Sequence, residues 1–515
     1  MFFVPKTVPA VVLDTGTRLC KAGFAGGDVP SLVCPSALGT YAGQAPEGAL
    51  GDAVGNGFVA GYEWLAAREV ALSGVQVRSA FDDDGLISDW AAYEALLDYC
   101  FARLQVQPEE YALCVVEPSH NPKRPREELC QVLFDKYNVP AVYFGRNAAL
   151  SCFAAGRHTG VVLDCGASNV SATPVFEGAV VKHAILRTRV GSGQDITRRC
   201  AALCGGLECI RPPYAFRRRG RRHANDAVAD GVGGANRPSR RSSAGASVDG
   251  DADDEEDEAA DDLDRNEDGG GVDLGGAAAP MEFHLEPVDV SSVSESYAEM
   301  ARMQVAEDVK HHVCSVDREY HLYSGAMHAA DHDTTDADAS PPPLPQQQQA
   351  SRRNVPPIAH ELPDGTTLSL GAERFRPAEA LFGTLPHART AREDRPFLAY
   401  LRQQGTLPAS SKGVAGLVSD AIRRCEHAQH REMFAGVVLT GGTSAMSGLA
   451  DRLQSELFLH YNRVKVHAAA NPVERKYTAW TGASMLATFA DFQNHWFTRD
   501  EYRENGAGFV HKRCP

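Results

Sequence analysis

VVLDTGTRLCKAGFAG, Val11 to Gly26, reads as an apolar strand that delivers a carboxylate, Asp14, to a small-residue turn and then returns as a second strand. The design recurs in GVVLDCGASNVSATPVFEG, Gly160 to Gly178, where Asp164 takes the same place. A third strand-turn unit, VVLTGGTSAMSGLADRL (Val437 to Leu453), ends in Gly441-Gly442 and runs into a helical pattern. Backbone N–H groups in small-residue turns form concavities for phosphate, and a carboxylate beside them can hold the water shell of a magnesium ion. Two facing hairpins of this kind would grip a triphosphate from both sides, with the Gly-Gly turn leaving room for a base. A single strand ending in Asp-x-Gly is also an ordinary hairpin turn, so the weight rests on the repetition.

The chain has 515 residues, enough for two domains and a large core. Its 13 cysteines follow no regular framework. The apolar start MFFVPKTVPAVVL lacks the basic flank and cleavage site of a signal peptide. No stretch reaches the apolar length of a membrane span, so a reducing, soluble compartment with buried thiols is expected, and no membrane partner. Cys200, Cys204 and Cys209 match no common zinc spacing and read as structural.

Strand-like VVL and VYF runs alternate with helical stretches such as Arg126 to Tyr137, where Leu129, Val132, Leu133 and Tyr137 share one face. That alternation is α/β architecture. From about residue 216 to 280 the composition turns to Arg, Gly, Ala, Ser and Asp, too poor in large apolar groups to offset its ordering entropy. A second low-complexity stretch covers about 326–356, and Met281 to Tyr323 between them regains apolar spacing and should fold with the second domain. The first insert is polarised, with RRRGRR (Arg217 to Arg222) and RPSRR (Arg237 to Arg241) preceding an acidic run, Asp249 to Asp268. Such blocks are commonly solvating tails; the sharper reading is a nuclear-import or nucleic-acid signal in the basic part and a histone-attracting acidic part. A net charge of −16 argues against the whole chain being a DNA platform.

Beyond the turns, GLISDWAAYEALLDY (Gly85 to Tyr99), the run Pro108 to Phe144 and ERKYTAWTGASMLATFADFQNHWFTRDEY (Glu474 to Tyr502) are similar to actin, in order. The chain thus resembles the actin family of actin-related proteins. DCGAS, IRPPY at Ile210 to Tyr214, ELPDG, GAERF and the KRCP end are most similar to the nuclear actin-related protein 4 class. The resemblance implies an actin-like ATPase fold: α/β, two-lobed, with ribonuclease-H-like duplicated domains around a nucleotide cleft and long disordered insertions. Residues 1–157, completed by 477–515, would form the first lobe and 158–476 the second.

Carried over by position, the resemblance implies that ATP is held by Asp14, Thr15, Gly16, Thr17, Arg18 and Leu19 in the first hairpin, with Lys21 reaching toward the phosphates. The second hairpin would supply Asp164, Cys165, Gly166, Ala167, Ser168 and Asn169; Gly441, Gly442 and Thr443 would form the nucleotide-side turn, and Lys476 would flank the adenine. Asp14 and Asp164 would hold Mg2+ through water. Ala167 stands where actins carry an aspartate, Met446 where they carry a tyrosine, and His311 where a glutamate meets the ribose. Hydrolysis requires an aligned water and a proton acceptor. Asn147 replaces the family's glutamine, and Ser171 replaces its histidine, so no confident catalytic residue is assigned and hydrolysis is expected to be weak or absent.

The role implied is a structural subunit of nuclear chromatin-remodelling or histone-acetyltransferase complexes. There it would pair with monomeric actin on a helix of the motor subunit, with histones as possible partners of the acidic insert. The inter-lobe cleft opposite the nucleotide would accept that helix on Phe153, Gly156, His158, Gly178, Ala179, Met485, Leu486 and Phe489, although the last three also fit the buried face of a helix. A divergent or cytoskeletal actin that forms or caps filaments is the alternative. Thr40 to Leu65 offers no match to actin's subunit-inserting loop, which disfavours homopolymers. A sugar or acetate kinase of the same superfold would need a catalytic carboxylate facing a second substrate, and no residue offers it.

Overall fold

Each of the two Asp-bearing strands lies inside its own six-stranded mixed sheet. These sheets are seen in a computed structural model that describes residues 9–41, 52–54, 57–220, 283–318, 355–383 and 413–515. In the first sheet Ala10–Thr15 runs antiparallel to Leu19–Phe24 and parallel to Ala112–Glu117. In the second, Gly160–Cys165 runs antiparallel to Val170–Phe176 and parallel to Val437–Thr440. The repetition extends to register: Asp14 faces Lys21 across its hairpin and Asp164 faces Ser171 across the other.

Strands buried on both faces need continuous apolar runs. Val11, Val12 and Leu13 are buried, as are Val161, Val162 and Leu163; Val11 with Leu13 and Val161 with Leu163 anchor two large cores, while Val12 and Val162 pack into smaller clusters of their own. The chain returns to the first sheet at its end, where Phe497–Thr498 pairs with Ala141–Arg146. Before that, the helix Pro472–Thr488 starts on an Asn471 cap with proline at its first turn, the position where proline's missing N–H is harmless. Trp480 on this helix is wholly buried and donates from Nε1 to the Val12 carbonyl at 3.2 Å. A Cβ at Gly482 would lie 2.1 Å from the Leu150 carbonyl oxygen, so only glycine lets this helix approach Asn147–Ala154 so closely. Trp480→Ala would cost about 3–5 kcal/mol.

The Ser294-capped helix Glu295–His312 buries Tyr297, Ala301, Val305, Ala306 and Val309. The helix expected over 126–137 instead runs Lys123–Gln131 and continues as a π-turn, Val132–Lys136. Leu129, Leu133 and Tyr137 are buried, but the wider turn leaves Val132 only partly covered.

The expected insert boundary also shifts. Phe216–Gly220 forms a strand paired with Phe283–Pro287, because Phe216 supplies an apolar anchor that the following residues lack. The chain divides into two compact units, 1–216 with 287–515 and 217–286. Most of the charged insert, including RPSRR and the acidic run, lies outside the described residues, as does most of 326–356. Beyond the latter, Ile358–Glu361 and Thr367–Leu370 form a hairpin whose ELPDG turn places Gly365 at φ 84°. Among the described residues no helix is long and apolar enough to cross a membrane.

Candidate functional site

The two hairpin turns have the same local geometry. Gly16 N donates to the Leu19 carbonyl at 3.2 Å and Gly166 N to the Asn169 carbonyl at 3.0 Å. A Cβ on either glycine would come within 3.0 Å of that same carbonyl oxygen. Both turns open on a cleft of about 980 Å³. Its wall contains Asp14 to Leu19, Lys21, Asp164, Gly166 to Asn169, Gly441 to Thr443, Met446 and Lys476, together with Asn147, Ser171 and His311. The structure therefore gathers the ATP and magnesium candidates into one cavity; Cys165 is the exception, turned into the core beneath it.

Charge at the cleft floor is unbalanced. Lys21 Nζ contacts Asp14 Oδ2 at 2.6 Å; burial works against its charge, but Asp14 and then Asp164 hold its pKa above the ordinary lysine value. Asp164 is pushed up to about 6, mainly by burial and further by Asp14, with Lys21 and the Asn147 hydrogen bond pulling the other way. Two carboxylates thus share one ammonium. A divalent cation would supply the missing positive charge, and at Gly442 an added Cβ would meet nothing within 4 Å, leaving open space at the turn. The donor set and the space fit a magnesium nucleotide.

The third unit is fixed by backbone contacts. Gly441, at φ 93°, admits no side chain, because a Cβ would meet Asp164 Oδ1 at 2.4 Å and the Cys165 carbonyl oxygen at 2.5 Å. Its N–H and the Thr440 hydroxyl both donate to the Arg475 carbonyl, at 3.1 and 3.0 Å. Arg475 in turn donates from Nη1 to the Ser444 carbonyl at 2.8 Å, which sets Lys476 beside the turn. Thr443 Oγ1 donates to the Gly166 carbonyl at 3.3 Å, and the first N–H groups of the helix Gly193–Leu203 donate to the Gly166 and Ala167 carbonyls.

Several contacts around the cleft have no counterpart in the sequence reading. Arg18 Nε donates to Glu307 Oε2 at 3.1 Å, joining the first hairpin to Glu295–His312. The buried Lys310 ammonium donates to Thr197 Oγ1 at 2.8 Å and meets Glu307 at 3.3 Å. The Asp82 to Gly85 loop meets the second hairpin: the Asp84 carbonyl accepts from Asn169 Nδ2 at 3.2 Å, and Arg189 pairs with Asp83 and Asp84. Lys310 is the single lysine of its helix, but Glu295, Glu299 and Asp308 lie on the same helix, so residue type does not single out Glu307.

The proposed partner-cleft residues fall into two linked groups. Phe153 and Phe489 meet edge-on with ring centroids 6.0 Å apart, and Gly178 N donates to the His158 carbonyl at 2.7 Å. Gly156 and Gly178 take positive φ with open space where a Cβ would be. Phe489 is not in the helix interior; it caps the C-terminus of Pro472–Thr488 and is 51% exposed, as Met485 is 41%, while Leu486 packs partly on the core. Among the cysteines set aside as metal ligands, Cys204 and Cys209 lie against the Cys200 and Gly205 carbonyls of their own turns.

Paired Asp-bearing hairpins, each with a parallel strand behind it and facing one cavity, define a nucleotide-cleft architecture of duplicated α/β sheets. The family model described as Actin matches residues 5–243 and 277–515, and the chain belongs to the actin family. It is 28% identical to "Actin-related protein 4" of Arabidopsis thaliana, with 99% of each chain covered. It is 26% identical to "Actin-related protein 4" of Oryza sativa subsp. indica, again over 99% of each. Similarity to "SWI/SNF and RSC complexes subunit arp42" of Schizosaccharomyces pombe is also 28% identity, over 99% of this chain and 100% of that one.

Proposed function

We propose that the chain binds ATP with magnesium between its hairpins, cleaves it slowly or not at all, and serves as a structural subunit of nuclear chromatin-remodelling or histone-acetyltransferase assemblies. The observation that carries the nucleotide reading is the pair of matching glycine turns facing one cleft, with Asp14 and Asp164 both on its wall and Lys21 paired with Asp14 between them. Asp14 and Asp164 would hold the metal through water, and the turns Asp14 to Leu19 and Asp164 to Asn169 would cradle the phosphates. Gly441 to Thr443, Met446 and Lys476 would border the base. Held there, a metal would neutralise phosphate charge, while the protein's residues would orient the nucleotide and tie the two sheets together. A ligand at a thousandfold excess over its Kd adds about 4 kcal/mol to the folded state.

The assembly reading is supported by the similarity to a protein named as a SWI/SNF and RSC subunit and by the exposed Phe489 and Met485. We assign that apolar edge to a motor-subunit helix shared with monomeric actin, and the acidic run Asp249 to Asp268 to histones. Affinity purification of the native protein followed by mass spectrometry tests it. Remodeller subunits with actin are expected; sedimenting homopolymers would support the filament reading instead. Deleting 248–270 should weaken histone binding strongly at low salt and little at high salt, since exposed charges are screened beyond about 8 Å at physiological ionic strength.

A further inference from the structure

Two cysteines distant in sequence meet on the wall of the cleft. Cys200 lies on the helix Gly193–Leu203, and Cys314 follows the end of Glu295–His312. Their sulfurs are 3.4 Å apart, both facing the interior, but Cys314 is 7% exposed and lines the cavity whereas Cys200 is wholly covered. The elements that carry them are already tied together by the Lys310 contacts to Thr197, one turn from Cys200, and to the Gly193 carbonyl, two turns away, so closing the sulfur gap requires only a local shift.

We propose that Cys200 and Cys314 form a peroxide-sensitive dithiol that closes to a disulfide on the cleft wall. The roles follow from access. Cys314 meets solvent-borne oxidant through the cavity, and Cys200, behind it, resolves the product. The electrostatics agree: the Cys200 thiol hydrogen bond and the Lys310 ammonium lower the Cys314 pKa against the effect of burial, while burial raises that of Cys200. The Cys314 thiolate attacks one peroxide oxygen, forming S–O as O–O breaks, and the departing hydroxide takes a proton to become water. The Cys200 sulfur then attacks the Cys314 sulfenic acid, forming S–S as S–O breaks, and its proton leaves with the hydroxyl as a second water. The dithiol loses two electrons and two protons, and the peroxide is reduced.

The chain contains its own comparison. Cys20 and Cys100 are 3.5 Å apart, nearly the same separation, with Cys34 beside them, but all three are sealed in the first core and none lines the cavity. If proximity alone governed oxidation, the two pairs would respond alike.

The test treats the freshly reduced full chain with hydrogen peroxide, alkylates remaining thiols under denaturing conditions, and maps peptides by mass spectrometry without reduction. The expected result is loss of two free thiols as Cys200 and Cys314 peptides become joined, with Cys20 and Cys100 still alkylated. That retained alkylation also shows that the fold stayed intact. In Cys200→Ser, Cys314 should accumulate as a sulfenic acid captured by a 1,3-diketone; in Cys314→Ser, Cys200 should remain a thiol. The proposal is overturned if Cys314 survives unmodified, if it is oxidised without joining Cys200, or if the Cys20–Cys100 pair closes as fast.

Discussion

Asn147 Nδ2 donates to Asp164 Oδ2 at 3.0 Å, while the Ser119 N–H and hydroxyl both donate to Asn147 Oδ1, at 3.0 and 2.7 Å. The amide is held between a loop after one sheet and the carboxylate of the other. Its carbonyl oxygen, the acceptor that could align an attacking water, already serves two donors.

That clamp sets the first prediction. Ser171, facing Asp164 across the hairpin, is buried and carries no imidazole to take a proton. A positioned acid or base contributes roughly 10²–10⁴ in rate. Phosphate release from bound ATP in a single turnover should be slower than in conventional actin by about that factor. Rapid-quench measurement checks it, and an actin-like rate would show that neither Asn147 nor Ser171 hinders cleavage.

A second prediction follows from Asp164, whose pKa is pushed up to about 6 by burial and by Asp14. A carboxyl that holds its proton more tightly when folded contributes stability fully present below the ordinary carboxylate range and lost as pH rises through about 6. Without nucleotide, Asp164→Asn should therefore be more stable than the parent at pH 7.5, on the order of 1 kcal/mol, and show little gain at pH 4. Thermal melts at both pH values report this. The same variant should lose magnesium-dependent stabilisation by ATP; equal stabilisation of both proteins would remove Asp164 from the metal site.

The Arg18–Glu307 pair yields a third. Both side chains are largely covered, and burial acts against the Glu307 charge while Lys310 and Arg18 hold its pKa below the usual carboxylate value. Glu307→Gln should cost about 1–3 kcal/mol by removing the negative charge and one of the two acceptor oxygens that Arg18 and Lys310 share. It should also speed ATP loss, because the contact joins the first hairpin to the helix across the cleft. A double-mutant cycle with Arg18→Met measures the coupling, and strict additivity would mean the pair holds nothing together.

Why were some of these features legible and others not? The hairpins announce themselves because an Asp-bearing apolar strand and a glycine turn are local patterns, and both recur. The hairpins and the burial of Val11 to Leu13 and Val161 to Leu163 follow from that pattern, whereas the parallel pairing with Ala112–Glu117 and Val437–Thr440 does not. Arg18 and Glu307 are 289 positions apart, and neither residue type nor spacing names the other. The clamp on Asn147 depends on a loop serine whose neighbours, Pro118 and His120, give no sign of it. The helical stretch over 126–137 is legible, but period counting sees neither its start at Lys123 nor its π-turn, and composition averages hide the one phenylalanine that anchors Phe216–Gly220.

The last prediction concerns the apolar edge. Phe489 ends the helix Pro472–Thr488, stands 51% exposed and touches Phe153 edge-on. A residue so exposed contributes little to the core, so Phe489→Asp should change folding stability by no more than about 0.5 kcal/mol. If a partner helix lays its apolar face on this edge, the same change places an unpaired carboxylate against desolvated groups, costing about 2 kcal/mol or more, roughly thirtyfold in Kd. Capture of a remodeller motor-subunit helix should fall accordingly, with ATP retention unchanged and the wild-type affinity nearly independent of salt. Isothermal titration at low and high salt reads all three. Undiminished capture by the variant would move the partner elsewhere, and loss of ATP retention along with capture would show that Phe489 supports the fold after all.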